Sequence, residues 1–273
     1  MVPNGGLLVY YQNRGKGDVA NGGSGLKAFP PGYTEGMGTQ EELAERAITY
    51  TCLRYTTTNE GVYSYGFPST DCEAGFQGRV HMPSCWDGQN LDSPDHKSHV
   101  AFLSGLDNGE CPQSHSVYLM KLFYEVTWDV HHFSARWTES DGWPFVYSTG
   151  DPTGYSWHGD FQNGWDVTVL QGAIDHCNNA NDDTANGVVS ACPLFTIIDA
   201  AIADQCDLAA SVRESVVSNS TKLPGCNPLQ AGPTDATAYM DDNCPNGVGD
   251  AETKPVARGH AGKCRLTKKR FRW

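Results

Sequence analysis

The chain has 273 residues, enough for one large domain or two small ones, and 39% of them are hydrophobic. Its 30 glycines and 15 prolines favour turns and short strands over long helices. The formal net charge is −13, and before Lys254 there are 11 basic against 32 acidic residues, a surface that repels nucleic acid and excludes it as a partner.

The first half of the chain contains short elements separated by loops. Leu7–Tyr11 is an apolar run typical of a buried strand. Thr39 and Glu42 form a capping-box pattern, which predicts a helix with Cys52 at its far end. Arg79–Trp86 is predicted to be a short strand, which ends at the turn pair Asp87-Gly88.

The second half adds strands and a few helices. Tyr118–Trp128 alternates well enough for a strand, and Phe145–Tyr147 is predicted to be another. Asp166 can cap a helix that ends at Cys177, and Pro193–Leu208 is predicted to be a helix or a strand followed by a helix. The predicted fold class is therefore β-rich, mainly β with a few helices. We expect a disulfide-stabilised β-sandwich or jelly-roll-like core with helices at its edge.

The ten cysteines are dispersed and include no C-x-x-C pair, which favours disulfides over a zinc cluster or a redox motif. Only local links, such as Cys177 with Cys192 or Cys206, can be guessed. Disulfides require an oxidising compartment, so we predict secretion, and Asn219 begins a glycosylation acceptor. Met1–Gly6 does not resemble a signal peptide, which predicts that a leader was removed or that the N-terminus is missing. No apolar stretch approaches the length of a membrane span.

The first polar segment covers residues 83–100, PSCWDGQNLDSPDHKSHV. It is dense in histidine and aspartate, which serve as metal ligands and as proton-transfer groups. Its candidate catalytic residues are Asp92, Asp95, His96 and His99, and Trp86 is a candidate for stacking on a sugar. A loop fixed by local hydrogen bonds is the alternative interpretation, because local density is weak evidence for a site.

The second polar segment covers residues 150–166, GDPTGYSWHGDFQNGWD. His158 and Asp160 would share a face on an extended backbone, as an acid/base pair or as two metal ligands. Gly159 between them would allow the backbone to approach a ligand closely. The aromatic candidates for substrate binding here are Tyr155, Trp157 and Trp165. The alternative is a turn fixed by a His–Asp hydrogen bond.

Two ionisable residues in predicted strands carry less weight. His81 alternates with apolar positions, which predicts an exposed side chain. Glu125 is an acid in an otherwise apolar strand, where a buried carboxyl could act as a general acid, but a solvent-facing position is favoured. Motifs of serine hydrolases, zincins and nucleotide-binding enzymes are absent, which lowers the expectation for those classes.

Longer blocks of the sequence resemble one known family. The blocks are PSCWDGQNLDSPDHKSHVAF and STGDPTGYSWHGDFQNGWD, with the shorter GGLLVYY, LKAFPPGY, LFYEVTWD, CPLF and LPGCNP. Together they resemble the DUF1996 proteins of fungi. The resemblance implies a DUF1996-like domain over residues 1–232 and a variable, poorly ordered tail over residues 233–273.

The resemblance also implies a location. Family members are mostly secreted proteins, sometimes joined to WSC or cellulose-binding modules, which implies a place near cell-wall or plant polysaccharide. Members usually carry a His-x-His element ahead of GGLLVYY, so we expect this chain to lack the N-terminal part of the family domain. If that element converges with His99 and His158, part of the site is missing as well. The family has no settled activity.

Three functions are compatible with these observations. The first is a secreted carbohydrate-active enzyme, a hydrolase or a lyase acting on cell-wall polysaccharide. A hydrolase needs two carboxylates, and Asp95 and Asp160 are such a pair only if both polar segments meet. A lyase pairs a His or Tyr base with a group that neutralises an acidic sugar, although the acidic body argues against an anionic substrate. The second is a non-catalytic glycan-binding protein, and the third is a His-based metal site whose metal is unknown.

Overall fold

The computed structural model describes residues 3–16, 26–27, 34–35, 47–55, 62–105, 107–179, 181, 187–203, 212–214, 221–247, 249 and 251–255. The chain forms two compact units. The first comprises Met1–Pro144 and Trp157–Thr196, and the second comprises Phe145–Ser156 and Ile197–Arg272. The second polar segment is therefore divided, with residues 150–156 in the second unit and residues 157–166 in the first.

The strands are short, as the abundance of glycine and proline predicts. In chain order they are β1 Pro3–Gln12, β2 Thr34–Glu35, β3 Ile48–Leu53, β4 Val62–Ser64, β5 Gly75–His81, β6 Cys85–Trp86, β7 Val100–Ala101, β8 Val117–Tyr118, β9 Lys121–Trp128, β10 Phe161–Gln162, β11 Val212–Glu214 and β12 Ala251–Pro255. The first unit is built around a five-stranded antiparallel sheet with strand order β1-β9-β5-β3-β4. Smaller antiparallel sheets pair β10 with β2 and place β6 between β7 and β8. The second unit contains the pair β11 and β12.

Two α-helices lie in the described part of the chain, α1 at Val167–His176 and α2 at Ala200–Ala203. Asp166 caps α1 as predicted, because its carboxylate accepts hydrogen bonds from the backbone N–H groups of Thr168 and Val169. Leu170 and Ile174 then pack into the core of the first unit. Short 3₁₀ helices occupy Gln113–His115, His131–Arg136, Glu139–Asp141, Val189–Ala191 and Asp241–Asn243.

The two faces of the five-stranded sheet differ in polarity, because side chains alternate along each strand. One face, the apolar face, carries Ile48, Tyr50, Phe76, Val80, Leu122, Tyr124 and Val126, all buried. The rings of Tyr50 and Phe76 stack there with their centroids 5.2 Å apart. The opposite face, the polar face, carries Thr49, Thr51, Gln77, Arg79, His81, Lys121 and Glu125. This sheet therefore buries a polar layer as well as an apolar one.

Four disulfides join described cysteines: Cys52–Cys72, Cys85–Cys111, Cys177–Cys192 and Cys226–Cys244. The pairing of Cys177 with Cys192 is one of the two local links predicted from the sequence. The other candidate partner, Cys206, lies outside the described residues, as does Cys264. The prediction of a β-rich, disulfide-containing chain with few helices is confirmed.

Some local predictions are wrong. Leu7–Tyr11 forms a strand, but its side chains are 38–54% exposed because β1 lies at the edge of the sheet. Cys52 and the four residues before it lie in β3 rather than in a helix, and the predicted helix start at Thr39 falls outside the described residues. Phe145–Tyr147 is not a strand, because the backbone turns there and Gly150 donates a hydrogen bond to the Tyr147 carbonyl. The stretch Pro193–Leu208, predicted to be a helix or a strand followed by a helix, is irregular over residues 193–199 and forms α2 at Ala200–Ala203, and its last residues lie outside the described chain. Within the described chain, we find no helix with the length and apolar character that crossing a membrane requires.

Candidate functional site

The first polar segment folds as a loop around Asp95. The Asp95 carboxylate accepts hydrogen bonds from the Ser93 hydroxyl at 2.8 Å and from the backbone N–H of Ser98 at 3.0 Å. These bonds, the Ser98 one foremost, hold the pKa of Asp95 far below its usual range. The same Ser93 hydroxyl lies 2.9 Å from Nδ1 of His99, which is only 1% exposed. Asp95 is thus an ionised carboxylate that organises its own loop.

Asp92 and His96 form a separate pair on the exposed side of this loop. His96 Nδ1 lies 2.8 Å from the Asp92 carboxylate, and this hydrogen bond is the main reason that the pKa of Asp92 is lowered. His96 has a φ of 53°, in the left-handed region that a residue with a side chain adopts only under local constraint. The structure therefore separates the candidates of this segment into an exposed pair, Asp92 with His96, and a buried residue, His99.

Replacing Ser93 with alanine is expected to lower the free energy of unfolding by about 1–3 kcal/mol, because the buried His99 nitrogen loses its hydrogen-bond partner. Urea denaturation with the disulfides intact measures this change. Ser114→Ala is the matched control, since Ser114 makes the same contact to His115 at 2.9 Å, but on the surface. Equal stability of the two variants would contradict a structural role for the Ser93–His99 contact.

The second polar segment lies against the apolar face of the sheet where it enters the first unit. His158 and Asp160 are both exposed, and the Asp160 carbonyl accepts a hydrogen bond from the Tyr124 hydroxyl at 3.4 Å. A Cβ on Gly159 would lie 3.1 Å from the Tyr124 ring and 3.3 Å from Met82. The close approach that glycine permits here is therefore made to the sheet itself.

The candidate tryptophans pack as part of the protein interior. Trp86, Trp157 and Trp165 are partly buried and lie against the apolar core of the first unit. Trp157 meets Trp128 edge to face with centroids 5.3 Å apart, and the Trp165 indole donates a hydrogen bond to the Tyr11 hydroxyl at 2.9 Å. Such packing leaves only part of each ring to contact a sugar.

Tyr155 lies in the second unit, half-buried, within a turn that Asp151 organises. The Asp151 carboxylate accepts hydrogen bonds from the backbone N–H groups of Thr153 at 2.7 Å and Ser156 at 2.8 Å. Burial alone would raise the pKa of Asp151, but a hydrogen bond from the Thr153 hydroxyl, together with these backbone bonds, lowers it. The polar groups of this stretch are therefore committed to the turn itself.

A second cluster of ionisable residues lies on the polar face of the sheet. Arg79 in β5 is directly opposite Glu125 in β9, and its guanidinium Nε lies 3.0 Å from the Glu125 carboxylate. The same Nε donates to the Gln77 side-chain oxygen at 2.6 Å, and the Gln77 amide donates to the Thr127 hydroxyl at 3.3 Å. Glu125 is 8% exposed. The prediction of a solvent-facing Glu125 is therefore wrong, and Glu125 is the buried member of an ion pair whose Arg79 is partly exposed.

Tyr10 of the edge strand β1 closes one side of this cluster. It is 40% exposed, and its ring centroid lies 5.6 Å from that of Phe123, the neighbour of Arg79 and His81 on this face. Burial, followed by a hydrogen bond to Glu125 and the charge of Glu125, raises the pKa of the Tyr10 hydroxyl. Tyr10 therefore keeps its proton, with the Glu125 carboxylate on the same face of the sheet.

His81 lies at the other side of the cluster and is 8% exposed, so the prediction of an exposed side chain is wrong. Its Nδ1 lies 2.9 Å from the Lys121 ammonium group, which is buried. Burial, together with the Lys121 charge, lowers the pKa of His81 to about 3, so that the imidazole is neutral at physiological pH.

Lys121 is 1% exposed, and its charge is balanced by Asp107, a residue outside the strands of the sheet. Its ammonium group donates to the Asp107 carboxylate at 2.8 Å, and Arg14 binds the same carboxylate at 2.9 Å. Burial lowers the pKa of Lys121, while Asp107 opposes that change. Burial alone would raise the pKa of Asp107, but Lys121 and Arg14 together hold it below its ordinary value. A chain of polar contacts thus runs from Arg14 through Asp107 and Lys121 to the neutral His81.

This cluster has a signal in the sequence, an alternation of polar residues along two strands. Gln77, Arg79 and His81 alternate along β5, and Lys121, Glu125 and Thr127 share one face of β9. Alternating polar residues are typical of a strand with one face in water, so the pattern alone predicts solvent exposure. Only the structure shows that the polar side is buried as well. Among the described residues, no three or more His, Cys, Asp or Glu side chains are grouped closely enough to hold a metal ion.

Residues 1–165 match a family described as a domain of unknown function, DUF1996. The match covers more than half of the chain, including β1 to β10. It therefore includes both polar segments up to Trp165 and the whole polar face of the sheet. No curated protein and no solved structure matches the chain.

Proposed function

The chain belongs to the DUF1996 family, and we propose that it is a secreted carbohydrate-active enzyme that cleaves a cell-wall polysaccharide on the polar face of its five-stranded sheet. The observation that carries the proposal is the position of Tyr10 opposite Phe123, on the same face of the sheet as the Arg79–Glu125 ion pair, where Glu125 helps to raise the pKa of its hydroxyl. A proton donor and a carboxylate meet there, at the border between buried and exposed surface.

Each group has a role in this proposal. Tyr10 keeps its proton because its pKa is raised, so it acts as the proton donor to the oxygen of the bond that is cleaved. Glu125 is the carboxylate that receives a proton, and Arg79 fixes its orientation at 3.0 Å. Both hydrolases and lyases need such a donor and acceptor pair, and the products distinguish the two reactions.

Secretion is supported by the four disulfides, because such bonds persist in oxidising compartments. A carbohydrate substrate is supported by the mixed polar and aromatic character of this face, where Tyr10 and Phe123 lie beside hydrogen-bonding groups. A non-catalytic binding protein would rely on an open row of aromatic rings. Trp86, Trp157 and Trp165 do not form one, because they pack against the core.

The experiment is a product scan by mass spectrometry. The purified chain is incubated with a panel of fungal and plant wall polysaccharides, beside Glu125→Gln and His158→Ala variants. We expect shortened products that are lost with Glu125→Gln and kept with His158→Ala. Products heavier by one water would indicate hydrolysis, and unsaturated ends would indicate a lyase.

Other outcomes of the scan would redirect the proposal. Loss of products only with His158→Ala would move the site to the second polar segment, where His158 and Asp160 are exposed. Binding to a polymer without any product would exclude an enzyme for that panel and leave a glycan-binding protein. Circular dichroism of both variants shows that each is folded before its activity is compared.

A further inference from the structure

We infer that the substrate of the polar face carries carboxylate groups, so that the glycan is an acidic one built from uronic acids. This inference rests on the proposed function and adds the chemical class of the substrate. It follows from the hydrogen-bonding state of His81 and from the net charge of the ionisable residues on the polar face.

The first step is the tautomer of His81. Lys121 carries three N–H donors and no acceptor, so its contact of 2.9 Å to His81 Nδ1 is a hydrogen bond that Nδ1 accepts. A neutral imidazole with an accepting Nδ1 carries its proton on Nε2. His81 therefore presents a donor, and its low pKa keeps it in that form. Lys121 acts here as a positioning residue, because it sets which nitrogen of His81 is protonated.

The second step is the charge of the cluster. Three cationic side chains, Arg14, Arg79 and Lys121, face two carboxylates, Asp107 and Glu125. With His81 and Tyr10 neutral, the cluster carries one net positive charge. His81 adds an N–H donor to it through Nε2, because its Nδ1 accepts from Lys121. A positively charged face that presents such a donor is complementary to an anionic group with acceptor oxygens, such as a carboxylate.

The third step concerns the rest of the surface. The residues before Lys254 carry 11 basic and 32 acidic side chains, which argues against an anionic substrate for the body as a whole. The polar face departs from that average, since three of those 11 basic residues, Arg14, Arg79 and Lys121, form its two groups of salt bridges. An acidic glycan is therefore attracted to this cationic site and repelled by the acidic protein surface around it.

The test compares binding of acidic and neutral oligosaccharides of one length. Isothermal titration uses oligogalacturonate, oligoglucuronate and their carboxyl-reduced counterparts, which are uncharged. We expect the acidic oligomers to bind roughly tenfold or more tightly than the reduced ones, the change expected for losing one charge-assisted hydrogen bond. Binding should weaken as salt rises. Oligogalacturonate and oligoglucuronate carry the same carboxylate on different sugars. A difference between their affinities therefore shows which uronic acid the site prefers.

Two variants place the effect on the polar face. Lys121→Gln removes the positioning cation, and Lys27→Gln removes one positive charge from an exposed position of the same unit. The preference for acidic oligomers should be lost in the first variant and kept in the second. Nitrogen NMR of the His81 ring in the unmodified protein provides a test that does not depend on the folding of Lys121→Gln. We expect a proton on Nε2 and no protonation at pH 5.

Failure of the acidic-substrate inference and failure of the proposed enzyme function give different results. Equal binding of acidic and reduced oligomers, or a His81 proton on Nδ1, would overturn the inference and leave a carbohydrate-active enzyme for neutral glycans. If no oligomer binds and no wall polysaccharide is cleaved, the proposed function fails and the inference falls with it.

Discussion

Replacing Glu125 with leucine is expected to lower the free energy of unfolding by about 3 kcal/mol, because Arg79, whose side chain is only 17% exposed, then lacks its counter-ion. Glu125 is buried, and the guanidinium of Arg79 lies 3.0 Å from its carboxylate. The Gln77 side-chain oxygen still accepts a hydrogen bond from Arg79. The expected loss of stability is therefore at the lower end of the range for removing one partner of an ion pair. Urea denaturation of the oxidised protein measures the change.

A double variant separates the ion pair from the loss of packing. Replacing Arg79 with methionine and Glu125 with leucine together should recover most of the stability, since an apolar pair of similar volume needs no counter-ion. Glu110→Leu is the control, because Glu110 pairs with Lys16 on the exposed surface and its loss should leave the melting temperature nearly unchanged. A Glu125→Leu variant as stable as the unmodified protein would show that Arg79 is well solvated.

Replacing Tyr10 with phenylalanine is expected to lower kcat/KM by roughly 100-fold or more, the usual contribution of a positioned proton donor. The ring and its contact with Phe123 remain, so only the hydroxyl beside Glu125 is removed. Initial rates on the polysaccharide identified by the product scan measure this loss. The melting temperature should change little, because Tyr10 is half exposed at the sheet edge.

Tyr11→Phe is the matched control for this change. Tyr11 is the next residue of β1, similarly exposed, but it points to the opposite face, where it accepts a hydrogen bond from Trp165. Its hydroxyl has no contact with the Arg79–Glu125 pair in the described structure, so activity should be kept. Equal losses in both variants would assign the effect to β1 as a whole, and unchanged activity with Tyr10→Phe would remove Tyr10 from the reaction.

Much of the local structure follows from short-range patterns in the sequence. Asp166 predicts the start of α1 because a side-chain acceptor there satisfies the first N–H groups of the helix. The alternation of apolar and polar residues over Tyr118–Trp128 predicts a strand that contains β9. The link between Cys177 and Cys192 can be guessed because the two residues are close in sequence.

The polar face could not be predicted, because burial depends on the neighbours of a strand rather than on the strand. His81 and Glu125 alternate with apolar residues, as in a strand with one wet face. The edge position of β1 is also a property of the whole sheet, so an apolar run such as Leu7–Tyr11 predicts burial that the topology does not provide. In the polar segments, residue density indicated a catalytic site, while the structure assigns Asp95 to hydrogen bonds within its loop.

The disulfide between Cys85 and Cys111 decides how this protein has to be produced. It joins both ends of the stretch that holds most of the first polar segment and Asp107, and Asp107 neutralises the buried Lys121. In a reducing cytoplasm this tether cannot form, and we expect the lysine to lose its counter-ion. Material from a bacterial cytosol can then give an inactive preparation whatever the native activity is. Expression through a eukaryotic secretory pathway, with thiol reductants left out of every buffer, keeps Asp107 in place for each of these assays.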